Sequence, residues 1–287
     1  MQEKKRGRTH SRWLLPAALV LAGAAWFENF TLSTSTVTAA CAALPEAFSG
    51  LRIVQISDLH GRRFDAESRY LLELVRLQSP DLIALTGDLA DEFTDFSMLP
   101  PLLDGLTALA PTFYVTGNHE WVLSREKREA LFSMLDAAGV VRLQNEYRLL
   151  KKGQASIVLA GVDDPNGPYD QKRPAQLVRE IRQSRGRDAY ILMLSHRNDE
   201  LDLWANMGVQ TVLCGHGHGG IVRLPFVGAV FGTHLDLFPD YTAGLYQKGQ
   251  TSMIVSRGLG GSRKLPLRIG NRPEIVTVIL KTDSGEI

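Results

Sequence analysis

Residues 51–60 read LRIVQISDLH, an apolar, β-rich run that stops on Asp58 and His60. The same pattern returns as DLIALTGD (81–88), TFYVTGNHE (112–120), AYILMLSH (189–196) and VQTVLCGHGH (209–218), and ASIVLAGV (155–162) is a further apolar run. Between the runs lie amphipathic stretches such as Glu67–Gln78, Trp121–Ala138 and Ala175–Gln183. Strands alternating with helices in this way predict an α/β fold in layers. After Gly220 the helical period stops, and IVRLPFV, TAGLYQKG, TSMIVSRG and PEIVTVIL read as a β-rich rear of the same domain.

Each polar cluster sits at the C-terminal end of an expected strand, where parallel strands of a layered sheet converge on one crevice. Thirty residues separate Asp58 from Asp88 and again Asp88 from Asn118, the length of one strand-helix unit. Five of the seven histidines fall in these clusters, leaving His10 and His234 elsewhere, so the clusters are expected to meet. Asp58, His60, Asp88, Asn118, His196, His216 and His218 then offer carboxylate, carboxamide and imidazole without thiolate. That donor set suits manganese, iron or zinc, and seven donors are more than one ion normally needs. Two divalent ions bring about +4, and two aspartates with a bridging hydroxide remove about 3, so the centre stays positive and attracts an anion such as phosphate. The glycines around His216 and His218 let the turn that carries them come close to such ions.

The chain has 287 residues, enough for one large domain and an appendage, and its composition is globular. The net charge of +1 averages two unlike parts. The first twelve residues hold five basic side chains and one acid, which leaves the rest at −3 and excludes a global basic surface for a nucleic-acid backbone. Residues 13–27, WLLPAALVLAGAAWF, carry no charge and end at Glu28 and Asn29. With 1–12 as a basic cytoplasmic flank, 13–29 is expected to be a signal anchor, with a cleaved leader or a packed helix as alternatives. A strand-like lead-in (31–44) and the domain proper (45–287) would then lie outside the cytoplasm, tethered to the cell membrane, or be secreted after cleavage. Cys41 and Cys214 stand far apart and are expected to be small buried thiols.

In this order DLH, GD, GNHE, a single strand-end histidine and GHGH resemble the calcineurin-like metallophosphoesterases over roughly residues 50–280. SDLHGRRF, YVTGNHEW, GHGHGG, SRGLGGS and RPEIVTVIL look like the membrane-anchored bacterial branch, which includes enzymes acting on UDP-diacylglucosamine. The resemblance implies a four-layer α-β-β-α sandwich and a phosphohydrolase with two metal ions and a bridging hydroxide as nucleophile. It implies that Asp58, His60, Asp88 and His218 hold one ion and that Asp88, Asn118, His196 and His216 hold the other. His119 would then protonate the leaving oxygen or stabilise developing charge. The substrate class is a phosphodiester, pyrophosphate or monoester, membrane-associated or lipid-linked if the tether is real, with no nucleic-acid partner. A binding module without turnover and a nuclease are the alternatives. The chain departs from its relatives at Gly217, where threonine or alanine is usual, and at Ile221, where glutamine is common.

Arg62 and Arg63 follow DLHG and are candidates to grip a phosphate in forked geometry, though a solvated loop pair reads equally well. Arg257 is read the same way. Glu120 is expected behind the ligands at a helix start, His234 in a loop or packing position, and Trp121 and Trp204 in the core.

Overall fold

The computed structural model describes residues 11–233, 235–261 and 268–283. His10, His234 and the basic residues 4–8 lie outside the described residues. The strands are β1 (Ser33–Cys41), β2 (Arg52–Ile56), β3 (Leu82–Thr86), β4 (Thr112–Val115), β5 (Val141–Arg142), β6 (Glu146–Lys152) and β7 (Ala155–Gly161), followed by β8 (Ile191–Leu194) and β9 (Thr211–Cys214). The rear supplies β10 (Val222–Leu224), β11 (Gly228–Phe231), β12 (Gly244–Lys248), β13 (Thr251–Val255) and β14 (Glu274–Thr282). The helices are α1 (Ser11–Phe30), α2 (Arg69–Leu77), α3 (Leu99–Leu109), α4 (Asn118–Val122), α5 (Arg125–Ala137), α6 (Pro174–Arg185) and α7 (Leu201–Asn206).

Two six-stranded mixed sheets result, in the orders β1-β14-β2-β3-β4-β5 and β12-β13-β9-β8-β7-β6, with β10 and β11 as a separate hairpin. Strands β2 to β5 run parallel, as do β7, β8, β9 and β13. Period-two alternation explains how the layers stack. Ile53, Leu82 and Ala84 join Leu159, Leu192 and Leu213 in a core between the sheets. Their neighbours Val54, Ile83 and Leu85 face the other way, onto Leu71 of α2, Leu102 of α3 and Leu131 of α5. Val158, Ile191 and Val212 of the second sheet pack on Ile181 of α6 and on Trp204 of α7. Strands buried on both faces need the near-continuous apolar runs from which they were read. Cys41 and Cys214 are both buried and free.

Trp121–Ala138 is two helices rather than one, because Ser124 (φ −56°, ψ 153°) leaves the helical region and its hydroxyl accepts from the Lys127 N–H at 3.3 Å. Trp204 is fully buried, whereas Trp121 is half-buried with its indole N–H donating to Thr116.

The span expected over 13–29 is not supported. Among the described residues no helix is long and apolar enough to cross a membrane. The uncharged run is short of about 20 residues, contains Pro16 within α1, and ends where the chain enters the protein. There Asn29 is buried, and its side chain donates to the Arg268 carbonyl at 3.1 Å and accepts from the Arg268 N–H at 2.8 Å. The C-terminal end of α1 is thus a helix packed on the body.

Candidate metal centre

The loops after β2, β3, β4, β8 and β9 open at one edge of the two sheets and bring the seven expected ligands together. Five of them take the left-handed backbone region: Asp58 (φ 51°), His60 (48°), Asp88 (52°), His216 (65°) and His218 (50°). Non-glycine residues there cost about 1–3 kcal/mol each unless their surroundings fix them. Here the loops fix one another, since Asp58 N–H donates to the Gly87 carbonyl at 3.0 Å and His60 N–H to that of Asp88 at 2.9 Å. Gly215 N–H likewise donates to the His196 carbonyl at 3.0 Å. The strained turns aim Asp58 with His60, Asp88, and His216 with His218 into one space.

Three groups of donor atoms lie within 4.8 Å of one another: Asp58, His60 and His218; His60, Asp88 and His119; Asp88, His196 and His216. His196 Nδ1 bonds the Thr86 carbonyl at 2.8 Å, which turns Nε2 toward Asp88 at 3.2 Å and toward His216 Nδ1 at 3.2 Å. His218 Nε2 faces Asp58 at 3.6 Å, and His60 Nε2 faces Asp88 at 3.7 Å. The donor set fits divalent cations for a reason visible in its hydrogen bonding. Asn118 Oδ1, His60 Nε2 and His218 Nδ1 are buried with no hydrogen-bond partner, an arrangement that a bound cation would relieve. The ring of His119 meets that of His60 edge-on at 4.7 Å, its backbone N–H donates to Asp88 at 2.8 Å, and its Nδ1 is also buried without a partner.

Burial pushes the Asp88 carboxyl up, but His196, His60 and His119 outweigh it and hold it well below the usual range. His196 is buried as well, yet Asp88 and Asp58 push it up to about 10. Burial takes His216 down to about 4, helped by His196 and Arg197, and takes His218 down to about 3 against the pull of Asp58. Those two imidazoles are therefore neutral near pH 7, the form in which histidine ligates.

Glu120, expected behind the ligands, is fully buried and accepts from the N–H groups of Gly117 (2.7 Å), Asp88 (3.0 Å) and Leu89 (2.7 Å), so it joins two ligand loops. Arg63 is paired with Asp95 at 2.6 Å, and Arg257 with Glu274 at 3.0 Å. Arg62 donates to the Asn29 carbonyl and lies over the rings of Phe30 (5.6 Å) and Phe64 (5.3 Å). Glycine at 217 is packed against the Asn198 amide, and Ile221 is buried.

Four residues escaped the sequence reading. Asp91 lies 3.7 Å from His60 Nδ1, and its signal was the second acid of GDLAD. Asp164 stands just past the end of β7 and grips Arg197 through two bonds (2.6 and 3.0 Å), while Arg197 Nη1 reaches His216 Nε2 at 3.1 Å. The strand-end rule that found the other clusters would have found Asp164 in AGVDDP. Arg268 had no such signal. Its buried guanidinium donates to backbone carbonyls, among them those of His218 (3.4 Å) and Arg257 (2.9 Å), beneath the last ligand turn.

The sequence pattern described as calcineurin-like phosphoesterase matches residues 51–220. An uncharacterized metallophosphoesterase of Bacillus subtilis, YkuE, is 31% identical over 267 residues, covering 90% of this chain and 89% of that protein. The Escherichia coli phosphodiesterase YaeI is 31% identical over 80% of this chain and 82% of its own length. A zebrafish (Danio rerio) transmembrane protein with a metallophosphoesterase domain is 26% identical, over 83% of this chain and 55% of its own length.

Proposed function

The chain belongs to the calcineurin-like phosphoesterase family and is a metal-dependent hydrolase of phosphate esters, and from that premise we propose a centre for two divalent ions, manganese, iron or zinc. In this reading Asp58, His60, Asp88 and His218 hold one ion, Asp88, Asn118, His196 and His216 hold the other, and Asp88 is shared. The observation that carries it is that Asp88 belongs to the group with His196 and His216 and lies 3.7 Å from His60 of the group with Asp58 and His218, beside the buried, unpartnered Asn118 Oδ1. Such ions, when bound, supply Lewis acidity and make hydroxide available near neutral pH.

The protein's own part is orientation and proton handling. Thr86 fixes the ring of His196, and Glu120 ties the loop of Asp88 to that of Asn118. His119 stands beside both groups with one ring nitrogen free of protein partners, where it can give a proton to the leaving oxygen. The substrate in this reading is a membrane-associated phosphate ester, a choice favoured by the apolar helix α1 standing beside the site.

The test is metal content of the full chain by plasma mass spectrometry, with turnover of bis-p-nitrophenyl phosphate by the wild type and Asp88→Ala. Two ions per chain and activity lost in the variant are expected. A protein that binds no metal and turns over nothing even with manganese added would sink the reading.

A further inference from the structure

We propose that Arg197 is a phosphate-binding residue of this site: with a cation on the inner nitrogen of His216, Arg197 Nη1 turns to an oxygen of the substrate's phosphoryl group. The inference rests on the phosphoesterase reading above and adds a residue to it. Arg197 follows His196 in the loop after β8. Its Nε and Nη2 donate to the two carboxylate oxygens of Asp164 at 2.6 and 3.0 Å, a fork that fixes the plane of the guanidinium. Asp164 is itself fixed, since its N–H donates to Thr116 Oγ1 at 3.1 Å and its Oδ1 accepts from the Asn166 N–H at 2.9 Å. The Asp164 side chain is fully buried and that of Arg197 is 24% exposed, so the guanidinium is anchored from the interior and reachable from solvent. Its third nitrogen, Nη1, lies 3.1 Å from His216 Nε2.

That contact is incompatible with a metal on His216. An arginine nitrogen only donates, so here Nε2 accepts and the ring's proton sits on Nδ1. Nδ1 is the nitrogen that faces the other donors, 3.2 Å from His196 Nε2, which is itself 3.2 Å from Asp88. A ligating nitrogen must offer its lone pair, so with Nδ1 given to a cation the ring's proton lies on Nε2, with no change in the charge of the imidazole. Two N–H groups then face each other across the gap between Arg197 and His216, and Nη1 loses this acceptor. Asp164 keeps the rest of the guanidinium in place, so Nη1 stays at the edge of the cluster as a donor in want of an acceptor. A phosphoryl oxygen drawn to the centre is that acceptor, because a hydrogen bond between two ionised groups is among the strong ones and a donor already in place needs no rearrangement when charge develops. Two other arginines considered for this part are engaged elsewhere, Arg63 with Asp95 and Arg257 with Glu274.

The probe is inorganic phosphate, titrated calorimetrically into the manganese-loaded full chain, with metal content by plasma mass spectrometry on the same samples. The variant is Arg197→Lys. Lysine has one nitrogen, which the buried Asp164 takes, so the ion pair is kept while the donor at Nη1 is lost. The expected result is two ions per chain and the same urea midpoint in both proteins, with phosphate bound about 10- to 100-fold more weakly by R197K, the worth of one hydrogen bond to a charged group. Arg197→Met combined with Asp164→Leu removes the donor and the buried acid together, leaves no charge unpaired, and should show the same loss; it decides the matter if R197K does not fold. Equal phosphate affinity in wild type and variant, with two ions bound to each, would overturn the inference while leaving the phosphoesterase reading intact. Loss of an ion from R197K would overturn it too, making Arg197 a support for the ring of His216. A wild type that binds neither metal nor phosphate would remove the reading on which it rests.

Discussion

Replacing Gly117 by alanine tests whether the metal centre depends on two loops touching backbone to backbone. Gly117 has φ −101°, a region open to every residue, so the perturbation is steric alone. A Cβ would stand 2.7 Å from the Asp88 backbone nitrogen and 2.8 Å from its carboxyl carbon, where van der Waals contact needs about 3.5–4 Å. The loop of Asp88 must therefore retreat by about 1 Å. Glu120 resists that retreat by holding both loops, so the strain falls on the shared ligand. A misplacement of that size costs on the order of 10²-fold in rate, and overpacking costs about 1–3 kcal/mol of stability. The assay is kcat/KM on bis-p-nitrophenyl phosphate with urea unfolding of the same samples. Gly217→Ala is the control, since its Cβ would meet the Asn198 amide nitrogen at 2.6 Å and nothing else closer than 3.5 Å. A side-chain end can turn away, so the control should stay within about threefold of wild type. Full activity in G117A, or equal losses in both variants, would refute the reasoning.

His119→Gln should lower kcat about 10²–10³-fold while two ions per chain remain by plasma mass spectrometry; loss of metal would instead make His119 a ligand. Arg268→Met leaves the carbonyls of Arg257 and Gly260 without the guanidinium donor and should destabilise the fold by about 3 kcal/mol in urea titration; an unchanged midpoint would show the guanidinium to be dispensable. Burial, then Asp199 and Asp164, pushes the Glu200 carboxyl from 4.5 up to about 7. The folded state then holds a proton that the unfolded chain has released, so stability falls as pH rises from about 4.5 to about 7. Glu200→Gln removes that decline and should exceed wild type by about 1–2 kcal/mol at pH 8, after allowance for partial exposure, with no gain at pH 4. A gain of the same size at both pH values would show that the carboxyl's charge is not responsible.

The parallel core was legible because its strands are buried on both faces and must be apolar throughout, and because each ends where the chain changes chemistry. LRIVQISDLH and VQTVLCGHGH announce strand, end and ligand in ten residues each. Strand β6, EYRLLKK, was missed for the converse reason: it pairs only with β7 at the sheet's edge, so half-exposed positions carry charge and no apolar run forms. Helix α3 was hidden by Pro100 and Pro101 in LPPLLDGL, residues that suit a first helical turn but read as breakers. Arg268 acts through contacts made only when distant loops close, and spacing along the chain does not encode those, whereas Asp164 stands at a strand end where the same rule applies.

The N-terminal helix shows the same limit from the other side. Its uncharged run says that the segment prefers an apolar neighbour, and hydropathy alone is indifferent to whether that neighbour is a bilayer, a protein core or a bound chain. What discriminates is the polar residue that ends the run. Asn29 is buried and bonded at 2.8 and 3.1 Å to Arg268, so the end of the helix answers to the loops under the metal centre. The apolar surface anchored there shares one groove with His60 and Arg62, so the end of the helix belongs to the surroundings of the site whatever the rest of the helix touches.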